Sequence, residues 1–361
     1  MPKISIILPT YNGEKYISEA IDSILSQTFN DWELIVVNDC SMDNTLKIVN
    51  QYAEKDSRIM VVNNCKNQKL PKSLNIGFAK AKGEYLTWTS DDNYYLSNAL
   101  CEMVDYLEKH DDIMVVGSTY YINDCGKIVG SKQKYTDKDM FRHNCVGACF
   151  MYHREVLTTV GEYDEKMFLV EDYEYWLRIL LRYGKIGYID KELYCYRLHE
   201  DSLTVEKAND VKQQLMTMRA KYIEQIVKNL EQDKSALCAI YYDFLEANFN
   251  MSCFKELFQK KVPELINEVP FDVGKTAMIY GAGNYGDKAY EKVGNIVKGY
   301  LDKSSQKIGR KKNGLNIYGI DYLLEKKECQ ILIAVNKTLI YSCICELKRV
   351  GIEKFSVYQS L

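Results

Sequence analysis

The sequence lacks several things, and each absence narrows what the chain can be. Its twelve cysteines never form a Cys-x-x-Cys; Cys145 and Cys149 stand three residues apart and Cys343 and Cys345 one apart, poor spacings for zinc. Nothing at the N-terminus resembles a secretory leader, so the thiols are expected to be reduced and mostly buried in a cytoplasmic protein. No apolar run approaches the length of a membrane span, which leaves only peripheral contact with the inner membrane face. The net charge of −3 supplies no basic face to balance the phosphates of a nucleic acid. There is no internal repeat and no low-complexity segment. At 361 residues the chain can bury one large core and a small second one.

What is present is organised around residues 83–93, Gly-Glu-Tyr-Leu-Thr-Trp-Thr-Ser-Asp-Asp-Asn. Tyr85 through Thr89 are aromatic, β-branched or apolar and suit a buried strand. The strand runs into Ser90, Asp91, Asp92 and Asn93, which suit a polar site. In an open α/β sheet, ligands gather beyond the carboxyl ends of strands. Two adjacent carboxylates there offer a hard, oxygen-only site for Mg²⁺ or Mn²⁺ carrying a phosphorylated ligand.

The N-terminal part alternates strand and helix. Residues 3–8 form an apolar strand stopped by Pro9. The turn Thr10-Tyr11-Asn12-Gly13 follows, and Glu14 opens a helix with apolar residues at Ile17, Ala20, Ile21, Ile24 and Leu25. Residues 32–37 form the next strand, ending in Asn38-Asp39-Cys40-Ser41, and residues 59–62 a third, followed by a helix over 72–81. Further strands are expected at 113–122, 146–152, 185–189 and 193–196, with helices at 96–109 and from Glu171 onward. Acidic residues in a first helical turn also suit the helix dipole, which is the structural account of Glu171-Asp172. Residues 205–272 change to a helical period without a catalytic constellation and are expected to be a helical linker. Residues 273–361 restart as α/β: a strand at 276–280, the turn Gly281-Ala282-Gly283-Asn284-Tyr285-Gly286, a helix, and a strand ending at Asp302. That is a Rossmann-type arrangement, and Gly281, Gly283, Gly286 and Asp302 are its candidate nucleotide contacts. A unit that binds a nucleotide and one that keeps only the fold are both open.

Taken together, residues 1–204 resemble a family 2 glycosyltransferase of the GT-A fold, a Rossmann-like mixed-sheet domain. The motifs that carry this are Pro9-Thr10-Tyr11-Asn12, Leu25-Ser26-Gln27-Thr28-Phe29, Trp32 through Asp39, Glu171-Asp172, and Tyr196-Arg197-Leu198-His199 with Ser202 and Thr204. The resemblance implies an inverting enzyme that moves a sugar from a nucleotide-sugar to a hydroxyl. It implies nucleotide contacts from Pro9, Thr10, Tyr11, Asn12, Glu14, Asp39, Lys72, Asn75 and Asp91. Asp39 holds the usual base-reading position, which favours a uridine donor, and Tyr11 can offer a flat face to the base. Asp92 takes the metal-ligand place, His199 can reach the metal or the diphosphate, and Asp172 is the general base.

The chain departs from the family pattern in two places. The common Asp-x-Asp-Asp reads Ser90-Asp91-Asp92-Asn93 here, without the first acid, and Leu74 stands where arginine is frequent, with Lys72 the nearest cation. The Gln-x-x-Arg-Trp of processive members is absent, which points to transfer of single sugars. The acceptor implied is a glycan or lipid-linked glycan of a bacterial surface polysaccharide, and the cofactor Mn²⁺ or Mg²⁺. The alternative is an inactive, transferase-like nucleotide-binding regulator.

Overall fold

The computed structural model of the chain describes residues 1–131, 134–200, 202–325 and 329–361. Its contacts divide it into two compact units, Met1–Met218 and Arg219–Leu361. The boundary falls inside the segment expected as a linker, so its later helices belong to the second unit.

The strands of the first unit are β1 (Ile4–Thr10), β2 (Trp32–Asn38), β3 (Ile59–Asn63), β4 (Tyr85–Trp88), β5 (Tyr94–Tyr95), β6 (Met114–Ile122), β7 (Ile128–Ser131), β8 (Phe150–His153) and β9 (Gly187–Arg197). They form one mixed sheet in the order β3-β2-β1-β4-β8-β6-β9-β5, with β7 paired to β6. The first four are parallel, as short apolar strands joined through covering helices require. At β8 the direction reverses, and β6 lies antiparallel to it. Helices α1 (Ile17–Leu25), α2 (Thr45–Lys55), α3 (Leu70–Phe78), α4 (Ala99–Lys109), α5 (Glu155–Thr159) and α6 (Glu171–Tyr183) accompany the sheet, and the short α7 (Leu203–Glu206) follows β9. One face of α1, through Ile17, Ala20, Ile21 and Ile24, packs into the core with Ile4, Ile6 and Leu8 of β1.

Local differences from the sequence reading have physical reasons. The β1–β4 ladder ends at Ile7, before Pro9, which has no amide hydrogen to give, whereas the β1–β2 pairing continues to Thr10. The two short strands expected at 185–189 and 193–196 are one strand, β9. Its polar middle looks like a turn in sequence, but register shifts opposite Gly117–Thr119 carry it as a bulge. Residues 146–149 are not strand; Gly147 takes φ +72° and the chain turns there before β8.

Beneath the acidic pair lies an aromatic cluster. The fully buried Trp176 meets Phe150 with ring centroids 4.3 Å apart, Tyr163 stacks on Tyr175 at 4.0 Å, and Trp88 Nε1 donates to the Tyr163 hydroxyl at 3.0 Å. These contacts join α6 to the end of β4 and to β8. The position of residues 171 and 172 relative to residues 90–93 is therefore fixed by packing.

Helix α8 (Ala208–Lys221) leads into the second unit, whose helices are α9 (Ile223–Asn229), α10 (Lys234–Glu246), α11 (Lys255–Lys261), α12 (Asn284–Val293), α13 (Tyr322–Glu325) and α14 (Lys337–Arg349). Its strands are β10 (Ala277–Tyr280), β11 (Val297–Leu301), β12 (Lys311–Lys312), β13 (Leu315–Tyr318), β14 (Gln330–Ile333) and β15 (Ser356–Val357), in the order β12-β13-β11-β10-β14-β15. Apart from the β12–β13 hairpin the pairs are parallel, and the order turns back at β10, the switch point of a Rossmann-like sheet.

Candidate active site

Three loops meet beyond the carboxyl ends of β1, β2 and β4, and side chains within them hold one another. Asn12 donates its backbone N–H to Ser41 Oγ and accepts from Met42 N through Oδ1, both at 2.9 Å. Glu14 accepts from Asn44 N and Nδ2 at 2.8 Å, so Asn12 and Glu14 tie the loop after β1 to the loop after β2. Asp39, 4% exposed, accepts from Asn64 Nδ2, Gln68 N and Lys69 N, each at 2.8 Å. A carboxylate has about four acceptor positions, which leaves one for a further N–H. Asn12, Cys40 and Lys69 have φ of +56°, +65° and +69°, an uncommon backbone, and these bonds hold Asn12 and Lys69 in it. Pro9 and Thr10 end β1, and Tyr11 stands half exposed beside them.

Lys72 pairs with Glu165 at 2.8 Å. Asn75 is buried and makes two bonds to one residue, Nδ2 to Tyr163 O and Tyr163 N to Oδ1, both 2.9 Å. Its amide is thus spent on the loop before α6.

Asp91 and Asp92 have different surroundings. Asp91 lies under the first loop, accepting from the Thr10 hydroxyl; burial, and then the charge of Asp92, push its carboxyl up to about 7. A Cβ on Gly13 would collide with Asp91 Oδ2 and stand 2.7 Å from Thr10 Oγ1, so a side chain there would displace the Asp91–Thr10 pair. Asp92 faces the other way: Oδ2 lies 3.0 Å from His199 Nε2. Among the described residues, Asp92 Oδ1 and His199 Nδ1 are buried without a hydrogen-bond partner. Such atoms cost free energy unless a ligand satisfies them. The carboxylate oxygen suits Mn²⁺ or Mg²⁺ held by one protein group and completed by phosphate oxygens, and the imidazole could join it through Nε2 in place of its bond to Oδ2, since Nδ1 faces away from Asp92. No cluster of three or more His, Cys, Asp or Glu occurs among the described residues. The donor set therefore fits a cation that arrives with a diphosphate, and it is no all-protein cage.

Glu171 and Asp172 open α6. Leu169, at φ +81°, donates its N–H to Glu171 Oε2 at 2.6 Å, which turns Glu171 inward. Burial and the adjacent Asp172 push the Glu171 carboxyl up to about 8. Asp172 Oδ2 accepts from Asn144 Nδ2 at 2.8 Å. A cleft of about 970 Å³ in the first unit is lined by Asp92, His199, Glu171, Asp172 and Asn144, with Trp88, Tyr121, Tyr173 and Tyr196 among its walls. Asp39 and Tyr11 do not line it. Of the closing motif, the side chain of Thr204 lies outside the described residues.

Sequence reasoning named Gly13 and Arg197 within motifs but gave neither a role, and it did not single out Asn144. Gly13 had a local signal, a glycine directly after the Tyr-Asn of the first turn. Asn144 had none, because its partner Asp172 is 28 positions away.

In the second unit, Gly281 has φ +122°, and a Cβ there would strike the Ala334 carbonyl. Gly283 faces open space and caps α12; Gly286 lies in that helix's first turn. Asp302 accepts from Ala282 N at 2.9 Å and pairs with Lys307 at 3.1 Å, so its carboxylate braces the glycine turn from within the unit.

Residues 5–161 match the family model described as glycosyl transferase family 2. Over 208 residues the chain is 33% identical to the putative glycosyltransferase EpsE of Bacillus subtilis, covering 56% of this chain and 74% of that one. An uncharacterized glycosyltransferase of Haemophilus influenzae is 32% identical over 215 residues, 55% of this chain and 66% of its own length. Among solved structures, S. aureus TarS residues 1–349 align with a TM-score of 0.53 at 20% identity, over 73% of this chain and 82% of that one. A mannosyltransferase of Pyrobaculum calidifontis, PcManGT, aligns at 0.50 and 18% identity, over 73% and 81%. The structural likeness shows the GT-A fold, and with the sequence relatives it leads to one conclusion: the chain belongs to the family 2 glycosyltransferases.

Proposed function

We propose that the protein transfers a single sugar, with inversion, from a uridine-linked nucleotide-sugar to a hydroxyl of a glycan or lipid-linked acceptor of a surface polysaccharide. The observation that carries this reading is the shared cleft: the Asp92–His199 pair and the Glu171–Asp172 pair open onto one space. Inversion needs a base on the face of the sugar opposite the leaving diphosphate, and two separate polar sites in one cleft can provide that.

In this reading the acceptor oxygen attacks the anomeric carbon, the bond from that carbon to the diphosphate breaks, and Asp172 takes the acceptor's proton. Burial and the charge of Asp172 both push the Glu171 carboxyl up, and Asp172 is the base in this reading because the motif places it second in the acidic pair. Asn144 orients the Asp172 carboxylate through its 2.8 Å bond. Asp92 and His199 would hold a divalent cation, which neutralises charge on the departing diphosphate when bound. Asp39 has an acceptor position free for a uracil N–H, and Tyr11 a face for the ring. TarS has been determined with UDP-GlcNAc, which supports the uridine-linked donor, and PcManGT with GDP-Man and Mn²⁺, which supports a nucleotide-sugar and a divalent cation but not the uridine.

The test is release of UDP from a panel of UDP-sugars by the full chain, with Mn²⁺ and with chelator. Metal-dependent release that disappears in Asp172→Asn supports the reading. Donor binding without release across the panel would leave the regulatory alternative in its place.

A further inference from the structure

We propose that Arg197 is a positioning residue for Asp92, gripping its backbone while His199 grips its side chain. The inference rests on the reading of Asp92 as the metal-site carboxylate. Arg197 ends β9, and its side chain is 2% exposed. Its Nε donates to the Asp92 carbonyl at 3.0 Å, and its backbone N–H to Asn93 Oδ1 at 2.7 Å. Its Nη1 donates to the carbonyls of Asp124 at 3.0 Å and Asn123 at 3.3 Å, and Nη2 meets Glu19. The guanidinium lies 4.5 Å from the centre of the Tyr16 ring, and that ring is 5.6 Å from the imidazole of His199.

This arrangement has a consequence for the cation site. Asp92 is held at its carbonyl by Arg197 and at Oδ2 by His199, two residues of one segment. The direction of the unpartnered Oδ1 is then set by both. Only a planar fork with five N–H groups can reach the turn after β4, the turn after β6 and α1 together; a lysine ammonium can satisfy one or two of these at a time. A buried arginine is a poor device for stability alone, since its desolvation offsets much of what its bonds return. Fixing a ligand's orientation is where such a group contributes, and loss of outer partners of metal ligands typically weakens the metal about 10–100-fold.

The test measures Mn²⁺ affinity of the full chain in the presence of UDP, by electron paramagnetic resonance of free Mn²⁺, beside the thermal midpoint. Arg197→Lys keeps the charge and is expected to stay folded, with Mn²⁺ bound about 10–100-fold more weakly. A residue that served only the fold would lower the midpoint and leave Mn²⁺ affinity of the folded protein at the parent value, and that result overturns the proposal. Should Arg197→Lys not fold, Glu19→Ala decides: it frees one arm of the guanidinium from the outside. Weakened Mn²⁺ binding at an unchanged midpoint supports the proposal, and unchanged affinity overturns it. A parent protein that binds no Mn²⁺ with UDP overturns the site assignment itself, and the role of Arg197 with it.

Discussion

Asp92 and His199 stand 107 positions apart in sequence, yet Oδ2 of one lies 3.0 Å from Nε2 of the other. The contact joins the turn after β4 to the segment leaving β9, which are held on opposite sides of the sheet's reversal. It leaves each side chain with one buried atom unpartnered, Oδ1 of the aspartate and Nδ1 of the histidine. A cation at the Asp92 carboxylate would be bound by a group already oriented before it arrives.

Asp172→Asn keeps size and can still accept from Asn144, but it cannot take a proton. Its kcat for sugar transfer is expected to fall about 10²–10⁴-fold, with UDP-sugar affinity within a few-fold of the parent. Glu171→Gln, which mimics the protonated state, should keep most of the activity. Steady-state kinetics and donor titration on both variants distinguish the two carboxyls; loss of activity in Glu171→Gln alone would reverse the assignment.

The Glu171 carboxyl also predicts a pH dependence of stability. Its native pKa is raised from 4.5 to about 8, so between those values the unfolded chain has lost a proton that the native state retains. Stability should therefore fall as pH rises from 4.5 to 8, by at most about 1.4 kcal/mol per pH unit from this group, and level off above. Urea midpoints across that range should show a shallower decline in Glu171→Gln. Parallel curves for parent and variant would contradict the assignment.

Asn75→Ala removes both bonds to the Tyr163 backbone and leaves a buried N–H and C=O without partners. A loss of about 2–4 kcal/mol is expected. UDP affinity of the folded variant should remain close to the parent's, because the amide is committed to the loop before α6. A large drop in UDP affinity at near-parent stability would instead make Asn75 a direct donor contact.

How much of this was legible in the sequence differs from residue to residue. Asp91, Asp92 and Asp39 stood out through their strand-end positions and the motifs around them, because such residues alone are as readily turn formers. Asp172 and His199 were candidates from motifs alone, with no signal that Asp92 and Asp172 share a cleft; that relation depends on the packing of Trp176, Tyr163 and Phe150. Asn75 fitted a nucleotide motif, but its partner lies 88 positions away, beyond any local pattern. Arg197 was visible only as part of Tyr-Arg-x-His, and its bonds to three separate elements exist only in the folded chain. In the second unit β10, the glycine turn and β11 were readable, whereas β13 and β15 were not, since short parallel strands lack alternation.

The most direct test of the central claim is a calorimetric titration of the full chain with UDP, with and without Mn²⁺, repeated on Asp92→Ala. The account predicts binding by the parent that strengthens at least about tenfold with Mn²⁺, and loss of that metal dependence in Asp92→Ala at an unchanged thermal midpoint. UDP bound equally well with and without Mn²⁺, or unchanged metal dependence in Asp92→Ala, would contradict it.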